Sequence, residues 1–249
     1  MKRKLTGKKA LVTGGGGGVG TAIALALAEA GAHVWIAGRS EEQLLRTAAR
    51  HEAISTIVAD VTDENSVTAM FADCGSCDIV VANAGASESM PFIKTETESW
   101  DRMIAVNLTG VFLTFREGLR QMSSKSGRLI AIASTAGLKG YAYVAPYTAA
   151  KHGVVGMVRS LALETATTDI TVNAICPGFL NTKMTDRSIA NIVAKTGMSE
   201  DKARAALTSH NPQGRLIQPG EVADTVLWLC GDDATSVNGQ AIPISGGEV

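Results

Sequence analysis

The sequence predicts an α/β fold built on one parallel, doubly wound sheet with helices on both faces. Three observations carry this. Short apolar runs alternate with longer amphipathic stretches along the chain, the pattern of repeated strand–helix–strand units. Five glycines, Gly14 to Gly18, stand between the first apolar run and an Ala/Leu-rich stretch. No Pro/Ser-rich linker, low-complexity block or internal repeat divides the 249 residues, so 1–249 reads as a single domain.

The elements follow in order. Ala10–Thr13 is short, apolar and partly β-branched, and reads as the first strand. Val19–Ala30 is a helix stopped by Gly31. Val34–Ala37 is the second strand, after which Ser40 caps a short helix with Gln43 as its capping-box partner. Thr56–Ala59 is the third strand, and a helix lies around Glu64–Phe71. Asp78–Ala82 is the fourth strand, and Trp100–Met122 reads as one long helix. Arg128–Ala133 is the fifth strand, and a second long helix runs from about Tyr147 to Glu164. Thr171–Ile175 is the sixth strand. Residues 183–210 show helical pieces with no strand between them, which suits a lid. A helix at Glu221–Cys230 and a strand at Gln240–Pro243 finish the chain. Doubly wound sheets bind ligands at the carboxyl ends of their strands, where the strand order reverses. The loops after Thr13, Ala37, Ala59, Ala82, Ala133 and Ile175 are therefore where chemistry is expected.

Composition removes several function classes. Hydrophobic residues make up 45% and charged residues 19%, as in ordinary globular enzymes. A net charge of −1 gives no field to attract nucleic acid or an anionic membrane. The basic cluster Lys2, Arg3, Lys4, Lys8 and Lys9 precedes no apolar signal-like region and reads as a solvated segment. No uncharged apolar run approaches the roughly 18 residues a membrane span needs. The four cysteines are unevenly spaced. Cys74-Gly75-Ser76-Cys77 has the C-x-x-C form, but it lies between a helix and a strand and lacks a second ligand pair. It reads as packing rather than a metal site, in a protein of the reducing cytoplasm.

The loop Thr13-Gly14-Gly15-Gly16-Gly17-Gly18-Val19-Gly20 fits a dinucleotide. Glycines let the backbone turn sharply and come close to a pyrophosphate, whose charge then faces a helix N-terminus. Its spacing is G-x-x-x-G-x-G, not the more general G-x-G-x-x-G.

That spacing, with Thr13 ahead of it, resembles the short-chain dehydrogenase/reductase family, and the resemblance covers nearly the whole chain. Asn83-Ala84-Gly85 matches the family's N-A-G element, and Asp60-Val61 its acidic pair. Tyr147-Thr148-Ala149-Ala150-Lys151 matches Y-x-x-x-K, with Ser134 thirteen residues before the tyrosine. Asn107 stands in a matching context, Val106-Asn107-Leu108-Thr109-Gly110, and Pro177-Gly178 followed by Thr182 matches a loop that closes over nicotinamide. The resemblance implies a Rossmann-like fold. It implies a nicotinamide cofactor held by Gly14, Gly17, Gly18, Val19, Gly20, Asp60, Val61, Asn83, Ala84, Gly85, Pro177, Gly178, Leu180 and Thr182, with Tyr147 and Lys151. Asp60 would hold the adenine amino group, and Lys151 would grip the nicotinamide ribose. Asn107 would hold a water linking Lys151 to solvent.

The chemistry accounts for the residue types. Reducing a ketone puts a hydride on carbon and a proton on oxygen, so the protein supplies a general acid. Free tyrosine titrates near 10, and a nearby cation lowers that value. Lys151, four residues on, shares a helix face with Tyr147. Ser134 can hydrogen-bond the substrate oxygen and orient it. Asn107, Ser134, Tyr147 and Lys151 are thus the expected catalytic residues. Tyr141 and Tyr143 have no lysine four residues later and read as lining or packing. His152 points about 100° away from Lys151 and reads as structural. An α/β hydrolase is excluded because no G-x-S-x-G elbow exists. A nucleotide-binding regulator without catalysis would have lost Tyr147 or Lys151, and both are present.

An acid at the end of the second strand would bond the adenosine ribose diol and repel a 2′-phosphate. That position is Gly38, followed by Arg39 and Ser40, so NADP(H) is expected, with NAD(H) the alternative. Ala145-Pro146-Tyr147 with Lys151-His152-Gly153 resembles polyketide and fatty-acid 3-oxoacyl reductases. Ala174-Ile175-Cys176-Pro177-Gly178 and the lid's length resemble 3-hydroxybutyrate dehydrogenases. Ala136 and Val144 are apolar where that second branch offers His and Lys. The expected substrate is therefore a 3-oxoacyl thioester carried on acyl carrier protein or CoA, with lid cations Lys183, Arg187, Lys195, Lys202 and Arg204 near its phosphate. Family resemblance also implies a homotetramer built on the two long helices.

Overall fold

The computed structural model describes residues 5–122 and 126–249; Lys2, Arg3 and Lys4 of the basic cluster lie outside them. The strands are β1 (Lys9–Thr13), β2 (His33–Gly38), β3 (Ile54–Val58), β4 (Ile79–Ala82), β5 (Ser126–Ile132), β6 (Asp169–Pro177) and β7 (Ala241–Ile244). They form one sheet in the order β3-β2-β1-β4-β5-β6-β7, with every neighbouring pair parallel. The helices are α1 (Gly18–Glu29), α2 (Glu41–Ala48), α3 (Glu64–Cys74), α4 (Thr97–Ile104), α5 (Gly110–Gln121), α6 (Ala145–Glu164), α7 (Lys183–Thr196), α8 (Glu200–Thr208) and α9 (Pro219–Leu229).

Alternation along the strands builds two cores. Val12, Ile36, Val81 and Ile130 pack on Ile23 and Leu27 of α1 and on Val222 and Val226 of α9. Leu11, Val80, Leu129 and Val172 face the other way, onto Phe71 of α3, Phe115 of α5 and Val158 of α6. Both faces are covered, so β4 reads Ile-Val-Val-Ala with every residue buried instead of alternating with polar ones. Cys74 and Cys77 belong to the second core, their sulfurs 3.8 Å apart.

Two elements differ from the sequence expectation. The long helix expected at Trp100–Met122 is α4 and α5 joined by a π-helical turn at Ala105–Thr109. The Asn107 amide takes the Met103 carbonyl at 3.0 Å, and a Cβ on Gly110 would come within 2.8 Å of Val61. Together these favour a wider turn there. At α2, Ser40 accepts from the Gln43 N–H at 3.4 Å, which is one half of the expected box. The lid region is helical as expected. α7 ends at Gly197, which is left-handed at φ 71°, and α8 is capped by Ser199. Ile189, Ala203 and Leu207 give these two helices a small core of their own. Among the described residues, no helix is long and apolar enough to cross a membrane.

Candidate active site

The strand order reverses at β1, which lies between β2 and β4. The glycine loop leaves β1 there and is held from below by the strand beside it. The Thr13 hydroxyl accepts from the N–H groups of Asn83 (3.0 Å) and Ala84 (3.1 Å). The Asn83 amide donates back to the carbonyls of Thr13 (2.9 Å) and Gly14 (3.2 Å). Gly14 adopts φ +67°, and a Cβ there would lie 2.9 Å from the Ala84 Cα. A Cβ on Gly20 would overlap the Gly14 carbonyl oxygen. Gly17 is different: the nearest neighbour of a Cβ there would be the Gln43 side chain, 3.8 Å away, so that side of it is open. Gly17 caps α1 with no side-chain bond, and the first turn carries no acid. The N–H groups of Gly18, Val19 and Gly20 and the positive end of the helix dipole are therefore presented to an anion.

Asp60 and Val61 follow β3. The Asp60 carboxylate accepts from the Thr62 N–H (2.9 Å) and hydroxyl (2.7 Å). Burial works to raise its pKa, but those two bonds and the nearby Arg39 guanidinium hold it below the usual value. Val61 is buried against Gly110. Arg39 and Ser40 are exposed at the end of β2, and Gly38 has room for a side chain, its nearest contact being Leu44 at 3.6 Å.

Ser134, Tyr147, Lys151, Asn107 and Gly85 come together across the ends of β4, β5 and α6. The Ser134 oxygen accepts from the Ala136 N–H at 3.1 Å, its hydroxyl donates to the Pro177 carbonyl at 3.5 Å, and it stands near the Tyr147 phenol. Lys151 is 3% exposed, donates to the Ile132 carbonyl at 2.8 Å and lies 5.6 Å from the centre of the Tyr147 ring. The side chain of Asn107 is fully buried and committed: it donates to the carbonyls of Ala86 (2.8 Å) and Met103 and accepts from the Ala86 N–H (3.2 Å). A Cβ on Gly85 would sit 2.8 Å from Asn107 and 3.8 Å from the Lys151 nitrogen.

The electrostatics differ from the simple expectation of a lysine lowering a tyrosine. Burial pushes the Tyr147 phenol up, and the nearby Ser134 hydroxyl draws it part of the way back. Burial likewise pushes Lys151 down, to about 8. Taking each charge out of water is the largest influence on both groups. Cys176 lies fully buried beside these groups, and burial pushes its thiol up to about 11, so it is neutral there.

The far wall comes from the loop after β6. The Gly178 N–H donates to the Ile244 carbonyl at 3.0 Å, Leu180 pairs with Ile217, and Thr182 opens α7 with its methyl group toward Gly18. His152 lies on the exposed side of α6, a ring nitrogen 2.9 Å from the Thr148 carbonyl. Tyr143 has φ +69°, rare for a bulky residue, and its carbonyl accepts from the Met90 N–H at 2.7 Å.

A family model described as enoyl-(acyl carrier protein) reductase matches residues 14–248. A granaticin polyketide synthase protein of Streptomyces violaceoruber is 41% identical over 96% of this chain and 92% of its own length. The 3-oxoacyl-(acyl-carrier-protein) reductase FabG of Rickettsia conorii is 36% identical over 98% of this chain and 97% of its own. The chain belongs to the short-chain dehydrogenase/reductase family. The crystal structure of a single-substitution variant of actinorhodin polyketide ketoreductase with NADPH superposes with a TM-score of 0.91 at 36% identity, covering 97% of both chains. As a short-chain dehydrogenase/reductase, the protein is an oxidoreductase acting on CH–OH and its ketone, with a nicotinamide cofactor. The uncapped α1 N-terminus, the open face of Gly17 and the second oxygen of Asp60, without a partner among the described residues, fit that cofactor.

Sequence reasoning missed one part of the site. Tyr141, read above as lining, bonds both Thr135 (2.6 Å) and Glu248. Glu248 also meets Lys139 at 3.0 Å and His210 at 3.8 Å. Partners 107 residues apart carry no spacing signal.

Proposed function

We propose that this enzyme reduces 3-oxoacyl thioesters, borne on acyl carrier protein or CoA, with NADPH. The observation that carries the substrate reading is the wall beside Ser134. Ala136 is buried and apolar, Val144 is apolar, and Lys139 is already paired with Glu248. Among the described residues, that wall offers a free small carboxylate no unpaired cation. Similarity to proteins named as 3-oxoacyl reductases points the same way. A D-beta-hydroxybutyrate dehydrogenase of Rhizobium meliloti, 36% identical over 96% of this chain and 98% of its own, keeps the small-acid reading as the alternative. Of the lid cations, Arg204 faces Asp186 at 3.5 Å and Lys195 donates to the Ser89 carbonyl at 3.1 Å. That leaves Lys183, Arg187 and Lys202 as the better candidates for a carrier phosphate.

In this reading Tyr147 gives its proton to the carbonyl oxygen, and Ser134 donates a hydrogen bond to the same oxygen. The bound cofactor supplies the hydride to the carbonyl carbon. Lys151, anchored on the Ile132 carbonyl, keeps two N–H groups for the ribose diol and restores the phenol proton. The Asn107 side chain is committed to Ala86 and Met103, so its part in a proton path to solvent falls to its main-chain carbonyl. Arg39, beside Asp60 and with no acid at Gly38, pairs with the 2′-phosphate, and Ser40 can add its hydroxyl hydrogen. Assembly as a cytoplasmic homotetramer belongs to the same reading.

A substrate panel tests this, following NADPH absorbance. Acetoacetyl-CoA should be reduced with a higher kcat/KM than free acetoacetate, simple ketones, quinones or sugars. Faster turnover of 3-hydroxybutyrate with NAD⁺ would favour the alternative. A charge-assisted bond of roughly 1.5–3 kcal/mol implies that kcat/KM for NADPH exceeds that for NADH by about 10- to 150-fold. Gly38→Asp with Arg39→Leu should reverse the order. Equal use of the two native cofactors would make Arg39 an ordinary surface charge.

A further inference from the structure

We propose that Glu248 is a positioning residue for the active site, fixing Tyr141 and, through Thr135, the loop that carries Ser134. A carboxylate is seldom buried, yet the Glu248 side chain is 2% exposed. An ionised carboxylate only accepts hydrogen bonds, so the Tyr141 hydroxyl donates to its Oε1. The Tyr141 oxygen, its own hydrogen spent, then accepts from the Thr135 hydroxyl at 2.6 Å. The order of donors is therefore set: Thr135 to Tyr141 to Glu248. Thr135 directly follows Ser134, and Lys139 holds the same Oε1 at 3.0 Å.

Other walls of the site meet at this carboxylate. A Cβ on Gly178 would lie 3.1 Å from its Oε2. The rings of Tyr141, Phe179 and His210 pack against one another with centroids 5.4–6.0 Å apart. Among the described residues Oε2 is buried without a partner. A buried acceptor left unmatched is destabilising, and a buried ion pair is in itself weak evidence of stabilisation. Stability therefore gives a weak account of Glu248. Its connection to the Ser134 loop gives a stronger one, because small displacements of a substrate-orienting group lower turnover steeply.

This inference rests on the roles proposed above for Ser134 and Tyr147. The test uses the full-length enzyme and whichever ketone of the panel it reduces fastest. Glu248→Leu and Tyr141→Phe should each lower kcat roughly 10- to 100-fold, with NADPH affinity by fluorescence titration and Tm both retained. The double variant should be no slower than the slower single, since both changes cut one chain. Glu248→Gln, which keeps an acceptor for Tyr141, should recover most of the loss. Hydrogen exchange of residues 135–143, read without turnover, should rise in Glu248→Leu and not in Glu248→Gln. Full kcat in Glu248→Leu, additive losses in the double variant, or a fall in Tm and cofactor affinity matching the loss of kcat would each overturn the proposal. Tyr147→Phe runs alongside: if it stays active, the catalytic assignment fails instead.

Discussion

Burial acts on both members of the catalytic pair, holding the Tyr147 proton in place and loosening that of Lys151. The phenol is protonated at neutral pH, as an acid for ketone reduction must be. Tyr147→Phe keeps the ring and removes that proton, so turnover should fall by at least roughly 100-fold. Cofactor affinity should be retained. Single-turnover kinetics check this, and a variant keeping more than about a tenth of native turnover would remove Tyr147 from the role. Lys151 makes a separate prediction about stability. Its folded pKa of about 8 lies below the ordinary 10.5, so between those values the unfolded chain binds more protons than the folded one. Stability from this group therefore rises with pH across that window and is at its lowest below pH 8. The shift amounts to roughly 3 kcal/mol. Lys151→Met should accordingly be more stable than native protein at pH 7, with the gap mostly closed by pH 10. Urea unfolding of both proteins at the two pH values measures it. The Tyr147–Lys151 pair was legible in the sequence because a helix makes residues four apart neighbours. Its electrostatic balance was not, since that depends on how many other segments cover it.

Glycine was the most legible signal at the scale of elements, and the structure separates what each glycine does. Gly20 is required by the protein's own packing, whereas Gly17 faces open space. Gly20→Ala should therefore destabilise the apo fold, while Gly17→Ala should leave apo Tm unchanged and weaken cofactor binding. Thermal melts with and without NADPH separate the two, and equal behaviour would contradict the division. Strand positions were readable to within a few residues because apolar runs between turns are local. The break in the long helix at Ala105–Thr109 was not readable. It arises from the Asn107 amide and from the approach of Gly110 to Val61, a contact between segments far apart in the chain.

For the whole molecule, the parallel sheet and its two covered faces followed from the alternation of strand and helix signals. Strand order did not, beyond the family's pattern. On the outer surface Phe112 on α5 is 43% exposed and Leu163 on α6 is 80% exposed. Apolar side chains on the two long helices are what the proposed tetramer would cover. Phe112→Glu with Leu163→Glu should shift the mass seen by light scattering from tetramer toward smaller species. An unchanged mass would place the interface elsewhere.

The order of that sheet also bears on how the protein is made. Thr13 leaves the ribosome before the groups that brace it, Asn83 and Ala84, which follow 70 and 71 residues later. β1 can pair with β2 first, yet the glycine loop has no floor until β4 docks beside it. Contacts so distant in sequence form slowly, after loop closure has been overcome. A nascent chain ending before β4 would thus have its complete glycine motif and no cradle for the nicotinamide cofactor. The cofactor can stabilise the finished fold, but it cannot template the segment that precedes β4.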